Sequence, residues 1–238
     1  MIRAMGKKTK NRVISAAVVA GVAVLAVGGV TFWPGSQVRP AIGALTTNFG
    51  CFVPQGEAKT AALGDSITAG HSFPLFNVGG NDSYADLLAC ETSTPISNLG
   101  VPGSTSAEML PRVDVALASH PTRMLVLAGT NDVYLLHDPN VTVKNLETIR
   151  AKLAAANVEG VFGLLPPSNH DPEMVEQVNA KIKTWATSKH VTLVDYWTPL
   201  ANPDGTYKAG FDRDGDGVHP GPNASRLMAD QARSVIGG

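Results

Sequence analysis

The feature that most restricts the fold is an alternation of short apolar runs with longer amphipathic stretches from about residue 57 onward. The predicted strands are Thr60–Leu63, Pro95–Leu99, Arg123–Ala128, Val158–Leu165 and Val191–Tyr196. The predicted helices are Ser83–Cys90, Ser106–Ala118, Val141–Ala156, Pro172–Ser188 and Pro222–Val235. Strands that alternate with helices pair in parallel through right-handed crossovers. Runs such as MLVLA suit a sheet covered on both faces. We therefore predict an α/β fold, a three-layer α/β/α sandwich with a five-stranded parallel sheet.

Residues at the starts of several predicted helices agree with this interpretation. Ser106 is placed to cap the helix that follows it, and Pro172 and Pro222 suit a first helical turn. In such folds ligands bind beyond the carboxyl ends of the strands. Functional residues are therefore expected directly after strands.

The amino-terminal segment predicts export of the domain. Residues 1–12 form a basic region, residues 13–33 contain no charge, and residues 34–56 form a linker rich in proline and glycine. Residues 57–238 are the predicted domain. A helix of residues 13–33 is long enough to span a hydrocarbon core of roughly 30 Å. The basic flank places the amino terminus in the cytoplasm and the domain outside.

Two interpretations of the leader remain open. It is either a membrane anchor, with Trp33 at the interface, or a signal peptide cleaved near Ala26 and Gly28. Both deliver the domain to a compartment that permits a disulfide. Cys51 and Cys90 are the only cysteines. The sequence leaves open whether they form a bond or remain buried thiols.

Composition and charge exclude several classes of protein. With 44% hydrophobic and 16% charged residues, the chain has enough apolar side chains to build a core. Its net charge is −1, and its amino-terminal segment is basic, so the predicted domain is acidic. An acidic domain lacks the basic surface that nucleic-acid binding requires. We predict no nucleic-acid partner.

Four segments beyond predicted strand ends carry chemically useful residues. They contain Ser66 in GDSITAG, Gly100 in NLGVPG, Asn131 in GTND, and Asp216 with His219 in DGVHP. Each segment alone is compatible with an ordinary turn. Together they supply a hydroxyl nucleophile, a base, an acid that orients the base, and donors for an oxyanion. This set is sufficient for nucleophilic acyl transfer.

These four segments resemble the conserved blocks of the GDSL, or SGNH, hydrolase family of esterases and lipases. The resemblance covers residues 60 to about 236 and implies a flavodoxin-like α/β/α fold. It implies Ser66 as nucleophile, His219 as base and Asp216 as the acid of a catalytic triad. It further implies an oxyanion hole formed by Ser66, Gly100 and Asn131, and no metal or organic cofactor.

One segment suggests a metal at first sight. Residues 212–217 begin like a calcium loop, but the twelfth position is Asn223 instead of the bidentate Glu that an EF-hand uses. We interpret the segment as a solvated acidic turn and predict no metal site.

The sequence predicts an extracytoplasmic serine esterase, expected as a monomer, and leaves its substrate open. Short rim loops favour acetyl esters, for example on an extracellular glycan. A membrane anchor suits a lipase or lysophospholipase acting on lipid esters. Two further alternatives are a binding module that kept the fold without the chemistry and an anchored scaffold protein.

Overall fold

Five parallel strands form the centre of the molecule. In the computed structural model, which describes residues 57–70 and 82–237, they are β1 (Thr60–Gly64), β2 (Ile96–Gly100), β3 (Arg123–Leu127), β4 (Glu159–Gly163) and β5 (Thr192–Val194). Their order is β2-β1-β3-β4-β5, and every neighbouring pair is parallel. The predicted five-stranded parallel sheet and flavodoxin-like fold are confirmed.

Helices cover both faces of this sheet. They are α1 (Ser66–Ala69), α2 (Tyr84–Thr92), α3 (Ser106–Leu117), α4 (Thr130–Leu136), α5 (Pro139–Ala155), α6 (Pro172–Lys189) and α7 (Pro222–Ile236). Helices α3, α5 and α6 pack in series, and α2 packs against α7. The chain reverses its direction across the sheet after β2, and right-handed crossovers then place α2 on the face opposite α3. The short helices α1 and α4 were not predicted.

Local signals explain where the helices begin. Proline occupies the first turn of α5, α6 and α7, as predicted for Pro172 and Pro222. The expectation that Ser106 caps α3 is wrong, because Thr105 is the N-cap and forms a capping box with Glu108. Ser106 is instead buried, and both its N–H and its hydroxyl donate to the carboxylate of Asp132.

The buried centre of the sheet positions the site. Residues 124–128, which include β3 beyond its first residue, are all at most 1% exposed, as expected for a strand covered on both faces. The strand order reverses between β1 and β3, and such a switch point opens a crevice at the carboxyl edge. Ser66 follows β1 and Asn131 follows β3. The two residues therefore lie on either side of this crevice.

The predicted leader and linker, residues 1–56, lie outside the described residues. Within residues 57–70 and 82–237 no helix is long and apolar enough to cross a membrane. Cys90 at the end of α2 is disulfide-bonded. Cys51, the only other cysteine of the sequence, lies outside the described residues.

Candidate active site

Ser66 begins α1 directly after β1. The carboxylate of Asp65 caps this helix by accepting the N–H of Ile67 at 2.9 Å. The cap therefore does not use the N–H of Ser66. The hydroxyl of Ser66 is half-buried, and its Oγ lies 2.8 Å from Nε2 of His219. This is hydrogen-bonding distance for a nucleophile and its base.

His219 and Asp216 form a tightly connected pair on one loop. Oδ2 of Asp216 lies 2.8 Å from Nδ1 of His219, and Oδ1 accepts the N–H groups of Val218 and His219, both at 2.8 Å. Because a carboxylate only accepts, Nδ1 carries the proton. In neutral His219 the Nε2 atom is then free of a proton and accepts the Ser66 hydroxyl.

The environment of Asp216 keeps it ionised. Partial burial acts to raise the pKa of this carboxyl, but the hydrogen bonds from His219 and Val218 outweigh it. The resulting pKa lies below the ordinary value, as expected for a carboxylate that accepts several N–H donors. Asp216 therefore remains an anion across the pH range in which a histidine titrates.

The segment after β4 supports this loop through two residues that the sequence did not single out as functional. The N–H of Asn169 donates to the carbonyl of Gly217 at 2.8 Å, and Nε2 of His170 donates to the carbonyl of Asp216 at 2.7 Å. Residues 169 and 216 are far apart in the sequence. No local pattern could have revealed these contacts.

Asn131 lies in the first turn of α4 and points towards the turn after β2. Its Nδ2 donates to the carbonyl of Ser104 at 2.9 Å. A side-chain amide has two N–H donors. One of them holds the turn, and the amide has a second N–H to donate.

The resemblance implies that Gly100 donates its N–H to the oxyanion. Its N–H donates to Oδ1 of Asn98 at 3.0 Å, and the residue is buried at the end of β2. A Cβ at this position would lie 2.1 Å from the backbone N of Ala69. Glycine is therefore required here because α1 passes directly over the strand.

A second glycine of the same turn is exposed. Gly103 has φ +78° and has no atom within 4 Å of the position of a Cβ. It follows Pro102, which lines the cavity beside Ser66, and precedes Ser104, which Asn131 binds. A Pro-Gly pair is the local signal for such a turn.

The cavity at the carboxyl edge has a volume of about 190 Å³. Its walls include Ser66, His219, Pro102, Pro220, Arg213 and Asp82. The guanidinium of Arg213 binds the carboxylate of Asp82 at 2.6 Å. This volume is below the roughly 300–1,000 Å³ of most small-molecule sites. The cavity is therefore small and charged on one side.

A fully buried carboxyl, that of Asp65, directly precedes Ser66 in the chain. Burial raises the pKa of Asp65 to about 6, although the hydrogen bond from the Ile67 N–H and the nearby His219 act to lower it. Oδ2 of Asp65 has no hydrogen-bond partner. At neutral pH this group is largely ionised, and ionisation destabilises the folded state.

In the part of the chain that the structure describes, no group of three or more His, Cys, Asp or Glu residues is placed to bind a metal ion.

Known proteins with a similar sequence or fold identify the family. The model of the GDSL-like lipase/acylhydrolase family matches residues 62–227. No curated protein matches the chain significantly. A lipolytic protein of the G-D-S-L family from Desulfitobacterium hafniense has a similar fold (TM-score 0.66, 20% identity, 74% of this chain and 98% of the other).

Two further solved structures share the fold at similar identity. One is the psychrotrophic esterase EstA from Pseudoalteromonas, inhibited by monoethylphosphonate (TM-score 0.59, 22% identity, 75% of this chain and 96% of the other). Another is a carbohydrate esterase family 3 protein from Talaromyces cellulolyticus (TM-score 0.59, 18% identity, 74% and 94%). Because the family model covers more than half of the chain, the protein belongs to the GDSL-like lipase/acylhydrolase family.

Proposed function

We propose that this protein is a serine esterase that hydrolyses carboxylic esters of short acyl groups. The observation that carries the proposal is the hydrogen-bonded chain from Ser66 through His219 to Asp216, with 2.8 Å at each step. Membership of an acylhydrolase family agrees with this chemistry.

The proposed reaction has two steps. As Oγ of Ser66 attacks the ester carbonyl, Nε2 of His219 takes the hydroxyl proton, and Asp216 stabilises the positive imidazolium. The proton then passes to the departing alkoxide, which leaves an acyl group on Ser66. In the second step His219 activates a water molecule in the same way, and the acyl group is released as an acid.

Three donors would stabilise the negative oxygen of the tetrahedral intermediate. Two are those already named, the N–H of Ser66 and the side-chain amide of Asn131. For the third we propose the N–H of Gly103 instead of that of Gly100. The N–H of Gly100 already binds Asn98, whereas Gly103 lies in the exposed turn that Asn131 contacts through Ser104.

The cavity supports a small acyl group and a polar alcohol. Its volume is small, and an ion pair forms part of its wall. A long alkyl chain would have to lie against the charged groups of Arg213 and Asp82. Desolvation of such groups by an alkyl chain is unfavourable.

A second candidate function is hydrolysis of lipid esters. Leu135 is 66% exposed and lies one helical turn beyond Asn131 on α4. Val101, in the turn next to Pro102, is 43% exposed. Exposed aliphatic side chains on this rim would favour contact with an alkyl chain outside the cavity.

We further propose, on the sequence of the leader alone, that the domain acts outside the cytoplasm.

The test is hydrolysis of p-nitrophenyl esters from acetyl to palmitoyl by the full chain in mild detergent. We expect turnover of the acetyl and butyryl esters that falls steeply with longer chains. A preference for long chains would favour the lipid substrate instead.

Ser66→Ala is the control, because it removes only the nucleophilic oxygen. We expect this variant to fold normally, by circular dichroism, and to lose hydrolysis. If the folded wild type hydrolyses no ester in a Ser66-dependent manner, the proposed function is wrong. A binding module on the same fold would then be the better interpretation.

A further inference from the structure

One arginine on α3 reaches the carboxyl ends of two strands. Nη1 of Arg112 donates to the carbonyl of Gly64 at 3.2 Å and to Oγ of Ser104 at 3.1 Å. Nη2 donates to the carbonyl of Leu99. The side chain is half-buried, so these contacts lie at the inner side of the rim.

Each of these acceptors belongs to a segment that carries an oxyanion donor under the proposed function. Gly64 ends β1 two residues before Ser66. Ser104 directly follows Gly103, and its carbonyl accepts the side-chain amide of Asn131 at 2.9 Å. A single guanidinium therefore connects the segments of Ser66 and Gly103 directly, and it reaches Asn131 indirectly through Ser104.

The carbonyl oxygen of Gly64 also holds the turn after β2 against β1. The carbonyl of Gly64 accepts the N–H of Val101 at 3.1 Å as well as Nη1 of Arg112. Val101 thus binds Gly64, the last residue of β1, directly, and Ser104 is connected to Gly64 through Arg112. A planar guanidinium with five donors suits this task, whereas an ammonium presents a single point of charge.

We propose that Arg112 is a positioning residue that fixes the spacing of the three oxyanion donors. The proposal rests on the proposed esterase function, because it assigns a purpose to that geometry. Oxyanion donors must lie within about 0.5 Å of their productive positions to act together. Loss of the guanidinium would let the turn 101–104 move relative to Ser66.

The first experiment compares Arg112→Lys and Arg112→Met with a matched control, Arg123→Lys. Arg123 likewise connects two separate segments, through the carboxylate of Glu159 and the carbonyl of Ile236, but at the opposite edge of the sheet. For both Arg112 variants we expect kcat on p-nitrophenyl acetate to fall about 10–100-fold, with KM within about threefold.

The shape of the pH profile separates positioning of the donors from damage to the triad. The guanidinium of Arg112 acts on the segments of the donors, through acceptors at residues 64, 99 and 104. The acid limb of kcat should therefore keep its midpoint in Arg112→Lys. Wild-type kcat in a folded Arg112→Lys variant would overturn the proposal, because charge without the planar fork would then suffice.

The second measurement is amide hydrogen exchange of the segment 100–105, which needs no turnover. We expect faster exchange in Arg112→Lys and no change in Arg123→Lys. Unchanged exchange in Arg112→Lys would overturn the proposal whatever the activity. Failure of the proposed function is seen separately, as absence of any difference between the wild type and Ser66→Ala.

Ser104→Ala provides a milder test if the Arg112 variants do not fold. It removes one acceptor of Arg112 and keeps the backbone carbonyl that binds Asn131. We expect a fall in kcat of about threefold to tenfold, together with faster exchange at residues 100–105. Wild-type values of both quantities would contradict the proposal.

Discussion

The N–H of Gly100 donates to Oδ1 of Asn98, two residues earlier in the same strand, at 3.0 Å. This bond distinguishes Gly100, a buried residue at the end of the strand, from Gly103, an exposed residue of the turn that follows. A methyl group at Gly100 would meet the backbone N and Cα of Ala69 at 2.1 and 2.5 Å. Backbone atoms of α1 can move away only if the helix itself shifts. Alanine should therefore destabilise the protein more at Gly100 than at Gly103.

We expect Gly100→Ala to yield little folded protein, whereas Gly103→Ala should fold. At Gly103 the added methyl group meets no atom within 4 Å, and only its positive φ of +78° is unfavourable. That strain costs about 1–2 kcal/mol. Soluble yield and thermal unfolding measure the difference. Equal stability of the two variants would contradict the interpretation.

Asn131→Ala should lower kcat strongly with a small effect on stability. It removes one proposed oxyanion donor and the bond to the carbonyl of Ser104. Loss of one such donor typically costs about 10²–10³ in turnover. Asn140→Ala, at an exposed position of α5, is the control. A kcat within threefold of the wild type would exclude Asn131 from the oxyanion hole.

Asp216→Asn should reverse the hydrogen bond to His219. If Oδ1 keeps the N–H groups of Val218 and His219, the new amide nitrogen faces Nδ1 and donates to it. The proton of neutral His219 then moves to Nε2, which can no longer accept from Ser66. By analogy with serine proteases, kcat should fall about 10⁴-fold. Steady-state kinetics on a folded variant checks this, and a fall below tenfold would show that the acid is dispensable.

Asp65→Asn should stabilise the protein at neutral pH. The folded-state pKa of Asp65 is about 6, against an ordinary value of 3.8, so the folded state binds more protons between these values. Stability contributed by this group therefore decreases as the pH rises from about 4 to 6. The asparagine keeps the cap on Ile67 through its carbonyl oxygen and does not ionise.

The gain should be about 2–3 kcal/mol above pH 7 and should fall below about 1 kcal/mol at pH 4. Urea unfolding of both proteins at pH 4, 6 and 8 measures it. A difference that does not change with pH would show that Asp65 is not a buried, ionised carboxyl at neutral pH.

Strand β3 was predictable because its side chains are apolar on both faces. Residues 124–128 need no partner information to be identified as a buried strand. Helix α4 was missed because it is short and carries exposed Leu135 and Leu136, so it lacks an amphipathic pattern. The cap of α3 was placed one residue late, although Glu108 stands three residues after Thr105, as a capping box requires.

The candidate site was predictable in its residue types and less so in its hydrogen bonds. Ser66, Asn131, Asp216 and His219 follow strands or lie in one loop, and the fold rule places them at one edge. The side chain of Asn98 binds the N–H of Gly100, and sequence spacing does not show that contact. The contacts of His170 and Arg112 likewise depend on the packed structure.

The acid of the proposed triad is bound to the backbone of the base that it orients. Oδ1 of Asp216 accepts the N–H of His219 while Oδ2 binds its ring, and the two residues are three positions apart. Asp216 and His219 are therefore expected to move together, and a displacement of the whole loop would leave their mutual alignment unchanged. Such a displacement would instead change the distance from Nε2 of His219 to Oγ of Ser66. An insertion or deletion in this loop would therefore break the contact with Ser66 while the bond between Asp216 and His219 stays intact.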